Sequence, residues 1–224
     1  MDKLTADFEK SLFNDSIDII GDYIEIGIDS FIEEGILEEI PFVKSIVGVL
    51  KIGKNVHDRN LLRQTLIFIK EFNSENISKD KLVAYKSTIE NNPKKCEAEL
   101  GRILLLLNNF IDIKKSIMLS RIFKAYINEK INWNTFCDYA EVINRIFMED
   151  VELLLKIYND EKIELNGINI KYKIGRLNSL GIINVVYANT WETISSYSKV
   201  EVNEHGKIFI EIIKWKYKWG NKYV

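Results

Sequence analysis

From Thr5 to Ile32, apolar residues recur mostly every three or four positions: Phe8, Leu12, Phe13, Ile17, Ile19, Ile20, Ile24, Ile28 and Phe31. This is the period of a helix with one buried stripe, and its opposite face is acidic. Glu33-Glu34-Gly35 breaks the pattern. Pro41 then suits the first turn of a second helix, because its missing N–H would have no partner there. That helical reading runs to about Phe72, with a kink expected between Gly53 and Asp58. After the polar connector Asn73–Ser78, Ser78 is the expected cap of a helix to about Glu90, and Asn91-Asn92-Pro93 stops that helix and starts another. Leu100, Ile103, Leu104, Leu106, Leu107 and Phe110 surround much of the next helix, which predicts it as the buried central one. Two further amphipathic patterns run from Asp112 to about Asn128 and from Trp133 to about Tyr158, with a turn at Asn128–Asn132 between them. Short polar turns between such patterns predict a multi-helix bundle over residues 1–160.

The pattern changes after Asp160. Gly167 and Gly181 bracket a short helix, with Gly181 placed where a left-handed C-terminal cap favours glycine. Two β-branched runs follow, Ile182–Tyr187 and Lys199–Asn203, separated by a stretch that reads as a long hairpin tip. Asn203 can cap a last helix from Glu204, with Ile208, Phe209, Ile212 and Ile213 on one face. This order predicts a small winged helix-turn-helix-like α/β domain over residues 161–224, so the fold class expected is mainly α.

Two stretches could form surfaces. In Ile40–Val56, Lys44, Lys51 and Lys54 fall on a narrow stripe, while Phe42, Val43, Ile46, Val47 and Leu50 fill a broad apolar face. That is the pattern of a helix half-sunk in a protein core, and also of one that meets a partner or lies in a membrane interface. The tail from Ile213 alternates aromatic residues with lysine; as a strand it would put Trp215, Tyr217 and Trp219 on one side, which suits a membrane interface, stacked bases, an acidic partner or the protein's own core. The longest run without Asp, Glu, Lys or Arg is fifteen residues, Leu177–Trp191, short of the roughly 20 that a spanning helix needs. With no signal-peptide pattern at the start, a cytoplasmic protein is expected.

Charge is unevenly spread. Residues 1–41 carry two Lys against twelve Asp and Glu, a net −10, whereas residues 161–224 carry ten basic against six acidic residues, a net +4. On the short helix Lys171, Lys173 and Arg176 would face a groove of DNA, and Lys199 and Lys207 flank the wing and the last helix, so these five are the candidate nucleic-acid contacts. A domain at +4 lacks the strong basic stripe of dedicated DNA binders, which leaves a protein-binding winged helix as the competing expectation.

Catalytic chemistry is sparse. His57 and His205, Cys96 and Cys137 are far apart in sequence and read as surface residues and buried thiols respectively. The acidic pairs Glu38-Glu39, Glu149-Asp150 and Asp160-Glu161 fall at expected turns or solvated faces. There is no glycine-rich phosphate loop, Walker lysine or nucleophile elbow. The expectation is therefore a non-enzymatic protein with no metal, cofactor or small-molecule substrate, acting on a protein partner or by self-association; nucleic-acid binding and peripheral membrane binding are the alternatives.

Ile40-Pro41, Gly48, Gly53 and Asp58-Arg59 at the start of an apolar helix resemble the opening region of abortive-infection alpha type proteins of bacteria and phages. The resemblance covers about a tenth of the chain and implies a role in phage defence, with no catalytic residues to carry over. The stretch Leu119–Trp133 and the later Leu-x-x-Leu-Gly-Ile-Ile element are similar to other bacterial proteins with a helical body and a winged-helix end.

Overall fold

The computed structural model describes residues 2–13, 40–50, 56–74, 77–165, 167–187 and 197–214, without the side chains of residues 47–50. Among the described residues there are ten helices and one two-stranded sheet. The chain divides into two compact units, Met1–Ala140 and Glu141–Val224. The division falls after residue 140, where the sequence reading placed its boundary after residue 160.

In the first unit, α1 (Lys3–Leu12) is capped by Asp2, whose carboxylate accepts from Leu4 N–H at 3.2 Å. It buries Thr5, Phe8, Ser11 and Leu12, one helical stripe. The rest of the expected first helix lies outside the described residues. Pro41 opens α2 (Pro41–Leu50) as expected, and Phe42, Val43, Ser45 and Ile46 are all buried. Phe42 N–H donates to Ser11 Oγ at 2.9 Å, the Ser45 hydroxyl donates to the Asp7 carboxylate, and the rings of Phe8 and Phe42 meet at 5.8 Å. The chain resumes as α3 (Val56–Asn73).

The centre of this unit is the pair α3 and α6 (Ile113–Ile127), each with ten buried residues. Asp112 caps α6, accepting from Lys114 N–H at 2.8 Å. The expected central helix, α5 (Pro93–Asn109), buries Leu100, Ile103, Leu104 and Leu107 but leaves Leu105 68% exposed, so it is a covering helix with one wet face. A leucine-rich run states how much apolar surface a helix has, and not which part of it finds a neighbour. The junction before α5 matches expectation: Asn92 caps it, accepting from Lys95 N–H at 3.0 Å, and Pro93 takes the first turn. The preceding α4 (Lys79–Glu90) begins after Ser78, but the Ser78 hydroxyl makes no cap bond; its N–H donates to Asn128 Oδ1 at 3.0 Å. Phe68, Phe72, Tyr85, Phe123, Tyr126, Trp133 and Phe136 form a continuous aromatic core with centroids 4.6 to 6.4 Å apart. Each fully buried ring removes enough apolar surface from water to contribute roughly 1.5–3 kcal/mol.

The pattern from Trp133 to Tyr158, expected as one helix, is two: α7 (Trp133–Arg145) and α8 (Met148–Tyr158). Neither Gly nor Pro marks the break. Phe147 turns extended and Asp150 enters the first turn of α8, where carboxylates favour the free N–H groups.

The second unit continues with α9 (Ile168–Ser179), β1 (Ile183–Tyr187), β2 (Tyr197–Val202) and α10 (Glu204–Ile213). The strands pair antiparallel, Ile183 opposite Val202 and Val185 opposite Val200, with a bulge near Tyr187. α8 packs on β2 and α9, so it belongs with the C-terminal elements. Gly181 has φ +71, the left-handed conformation expected of it. Asn203 ties three elements together: its N–H donates to Ile182 O at 3.3 Å, its side-chain amide to Gly181 O at 2.9 Å, and its Oδ1 accepts from Gly206 N–H at 2.8 Å. A Cβ on Gly206 would overlap the Ile182 carbonyl oxygen, so only glycine lets α10 approach this closely. That contact sets the face of α10: Phe209, Ile210 and Ile213 are buried, whereas Ile208, expected on the same face, is 46% exposed.

Candidate interaction surface

α9 holds the three leading nucleic-acid candidates. Arg176 does not point freely at solvent: Nε and Nη2 each donate to one oxygen of the Asp150 carboxylate at 2.6 Å. Asp150, expected at a turn or solvated face, is fully buried. Its bidentate bond is the first cause that holds the guanidinium pKa above its ordinary value. The guanidinium also lies over the ring of Phe147 at 4.6 Å, a cation–π contact with the face of a ring that is 58% exposed. Arg176 is thus locked between a buried carboxylate and a surface aromatic.

Three of the other four candidates also pair within the unit. Lys173 Nζ lies 3.4 Å from Glu149 Oε2 and donates to the Glu149 carbonyl. Lys199 pairs with Glu201, and Lys207 with Glu204 at 2.6 Å. Such exposed pairs are weak, about 0–1 kcal/mol, and yield to a competing anion; the Arg176–Asp150 pair does not yield without stranding a buried charge. Lys171 is half-buried and makes no ion pair with another described residue. Drawing the boundary at residue 141 brings in Glu141, Glu149, Asp150, Glu152 and Asp160, so this unit carries twelve Lys and Arg against eleven Asp and Glu, a net +1.

What α9 does present is apolar. Ile168 is 75% and Tyr172 69% exposed. With Arg176 they stand at i, i+4 and i+8, one stripe about 12 Å long by the rise of a helix, and Phe147 adjoins its end through Arg176. The buried residues of this helix are Ile174 and Leu177. Tyr172 lies about 200° round the helix from Ile174 at about 100° per residue, so the stripe is not a frayed edge of the core. Sequence reasoning passed over Phe147, Asp150, Ile168 and Tyr172. The signal available for two of them was that Ile168 and Tyr172 are apolar residues off the Ile174–Leu177 face.

The described part of the apolar face on α2 is core, as the half-sunk helix expected there requires, and not a partner or membrane surface. Phe42, Val43 and Ile46 are at most 1% exposed, because α1 covers them. The side chains of Val47 and Leu50, and the tail residues Trp215, Tyr217 and Trp219, lie outside the described residues. No described helix is long and apolar enough to cross a membrane.

A second cluster is chemically distinctive and inward-facing. Glu99, 4% exposed, accepts from Tyr85 OH at 2.8 Å and Tyr126 OH at 2.9 Å, with Lys95 Nζ at 3.7 Å. Burial first, and the Glu99 charge second, push both phenol pKa values up. Burial likewise pushes the Cys96 thiol up to about 12, with Glu9 the next cause. Carboxylate and phenols satisfy one another here, which is how a core tolerates a charge. Cys137, expected to be buried, is half-exposed. Among the described residues no three His, Cys, Asp or Glu side chains converge as a metal site.

No protein-family model, curated protein or solved structure matches this chain.

Proposed function

We propose that the protein is a non-enzymatic binding protein whose C-terminal unit, a winged-helix-like domain, uses the exposed stripe of α9 to dock a protein partner. One observation carries this reading: Arg176 is fixed by the buried Asp150 while Ile168, Tyr172 and Phe147 stand exposed around it. Tyrosine and arginine dominate the energetics of protein interfaces, and a side chain already held in one conformation loses little entropy when a partner arrives. A DNA-reading helix has the opposite requirement, basic groups free to reach phosphates, and the central one here, Arg176, is held by a buried carboxylate. The order helix, helix, helix, hairpin, helix supports the winged-helix reading. The resemblance to abortive-infection alpha type proteins supplies phage defence as the setting.

A photo-crosslinking amino acid placed at position 172 in the full chain, inside a bacterial cell, tests this directly. Discrete protein adducts that disappear when Arg176 is also changed to Ala are expected. Adducts only to nucleic acid, or none, would overturn the proposal.

A further inference from the structure

We infer that the partner of the α9 stripe is the acidic segment 14–39 of a second copy of this chain. The inference rests on the stripe being a protein-docking surface, and it adds the occupant. α9 carries Lys171, Lys173 and Arg176 and no acidic residue, interleaved with the exposed Ile168 and Tyr172. The stripe therefore asks for a segment that is acidic and apolar in alternation. Residues 14–39 have that chemistry: nine Asp and Glu, no Lys or Arg, and Ile17, Ile20, Ile24, Ile28 and Phe31 spaced by three and four. Asp18, Glu25 and Asp29 follow Ile17, Ile24 and Ile28 by one residue and Asp22 follows Ile20 by two, so the acids are themselves spaced by four, three and four and run beside the apolar series.

Size favours a second copy over an unrelated acidic peptide. A stripe about 12 Å long, with three or four anchors, falls short of the roughly 800 Å² per partner typical of a stable interface. In a pair of copies each chain offers one stripe and one segment. A two-fold arrangement then makes the contact twice and closes, whereas a foreign peptide makes it once. Opposed charge adds partner choice and salt sensitivity, since the segment is −9 by residue count and can draw on Lys171 and on Lys173, whose exposed pair with Glu149 yields to a competing carboxylate.

Sedimentation equilibrium of the full chain over a range of concentrations reads this out, on the wild type, on Tyr172→Ala and on the segment variant Asp22→Lys, Asp29→Lys. A concentration-dependent dimer is expected, with its dissociation constant raised at least tenfold by Tyr172→Ala, raised by the segment variant, and raised again by added salt. A monomer at every concentration would overturn the inference, as would a dimer indifferent to both variants. If the chain stays monomeric while position 172 still crosslinks a different protein in the cell, the second copy is refuted and the docking surface stands.

Discussion

Both units bury carboxylates, and they discharge them in opposite directions. In the first unit Glu71, 9% exposed, is met by Arg121 Nε at 2.9 Å and by Lys124 Nζ at 3.5 Å, both nearly buried, while Lys124 also donates to the Glu71 carbonyl at 2.6 Å and to Ser74 Oγ at 3.1 Å. Lys124 thereby closes the C-terminal end of α3, and its pKa is held low by burial despite the Glu71 charge. Everything polar in that cluster is consumed inside. In the second unit Asp150 is just as buried, but its partner Arg176 reaches out, 41% exposed, and lies against a surface phenylalanine. The same device, a buried acid with a cationic partner, knits a core in one place and stiffens a surface in the other. The location of the cation, rather than that of the acid, distinguishes scaffold from site.

Removing the acid of the first cluster has the largest expected effect. Glu71→Ala leaves Arg121 and Lys124 buried without their shared carboxylate, a loss of about 3–5 kcal/mol. Urea unfolding checks this, with hydrogen exchange locating the loss in α3 and α6. A change under about 1 kcal/mol would mean that the cations find water or other partners, and the contrast between the clusters would fail. The mirror-image change, Arg176→Ala, strands the buried Asp150 and is expected to cost less, about 2–3 kcal/mol, because an exposed partner leaves a path for water. Asp150→Asn should recover part of that loss when added to Arg176→Ala, since a neutral amide is cheaper to bury than a charge. Failure of that rescue would show that Arg176 stabilises through the Phe147 stack instead.

Local chemistry in the sequence located most of the second unit and much of the first. The caps and turns made by Asn92-Pro93, Asp112, Gly181 and Asn203 lie within three residues of them, and each sits where that local chemistry places it. Expectations failed where a distant residue decides. Asn128, fifty residues away in sequence, takes the Ser78 N–H, and the Ile182 carbonyl fixes the face of α10 through Gly206. The turn between α7 and α8 is Ile146-Phe147, with no glycine or proline, and the Glu149-Asp150 pair that follows in the first turn of α8 reads equally well as a solvated face. The site shows the same limit: Arg176 was legible as a candidate cation, but its partner lies 26 residues away and its role follows from that partner. Ile168 and Tyr172 were legible as residues off the buried face and were passed over because basic residues between them drew the attention a DNA reading gives them.

Alkaline pH separates the units in another way. In the unfolded chain the Cys96 thiol ionises near 9.0 and the Tyr85 and Tyr126 phenols near 10.0; in the folded first unit burial keeps the thiol protonated to about 12 and the phenols to higher pH than usual. Above pH 9 the unfolded state therefore binds fewer protons than the folded state, so stability falls as pH rises. Each group adds a slope of up to about 1.4 kcal/mol per pH unit once its unfolded form has ionised. Phenolate absorbance from Tyr85 and Tyr126 should appear only with unfolding, and Tyr85→Phe should make the alkaline loss shallower. In the second unit Arg176, hydrogen-bonded to Asp150, holds its proton more tightly than an ordinary arginine, so this pair is not the one that alkaline pH undoes. Amide protection in α9 that survives at a pH where α3 and α6 have opened would bear out the contrast. Simultaneous loss in α3, α6 and α9 would mean that the two units unfold together and that the alkaline weakness of one is shared by the other.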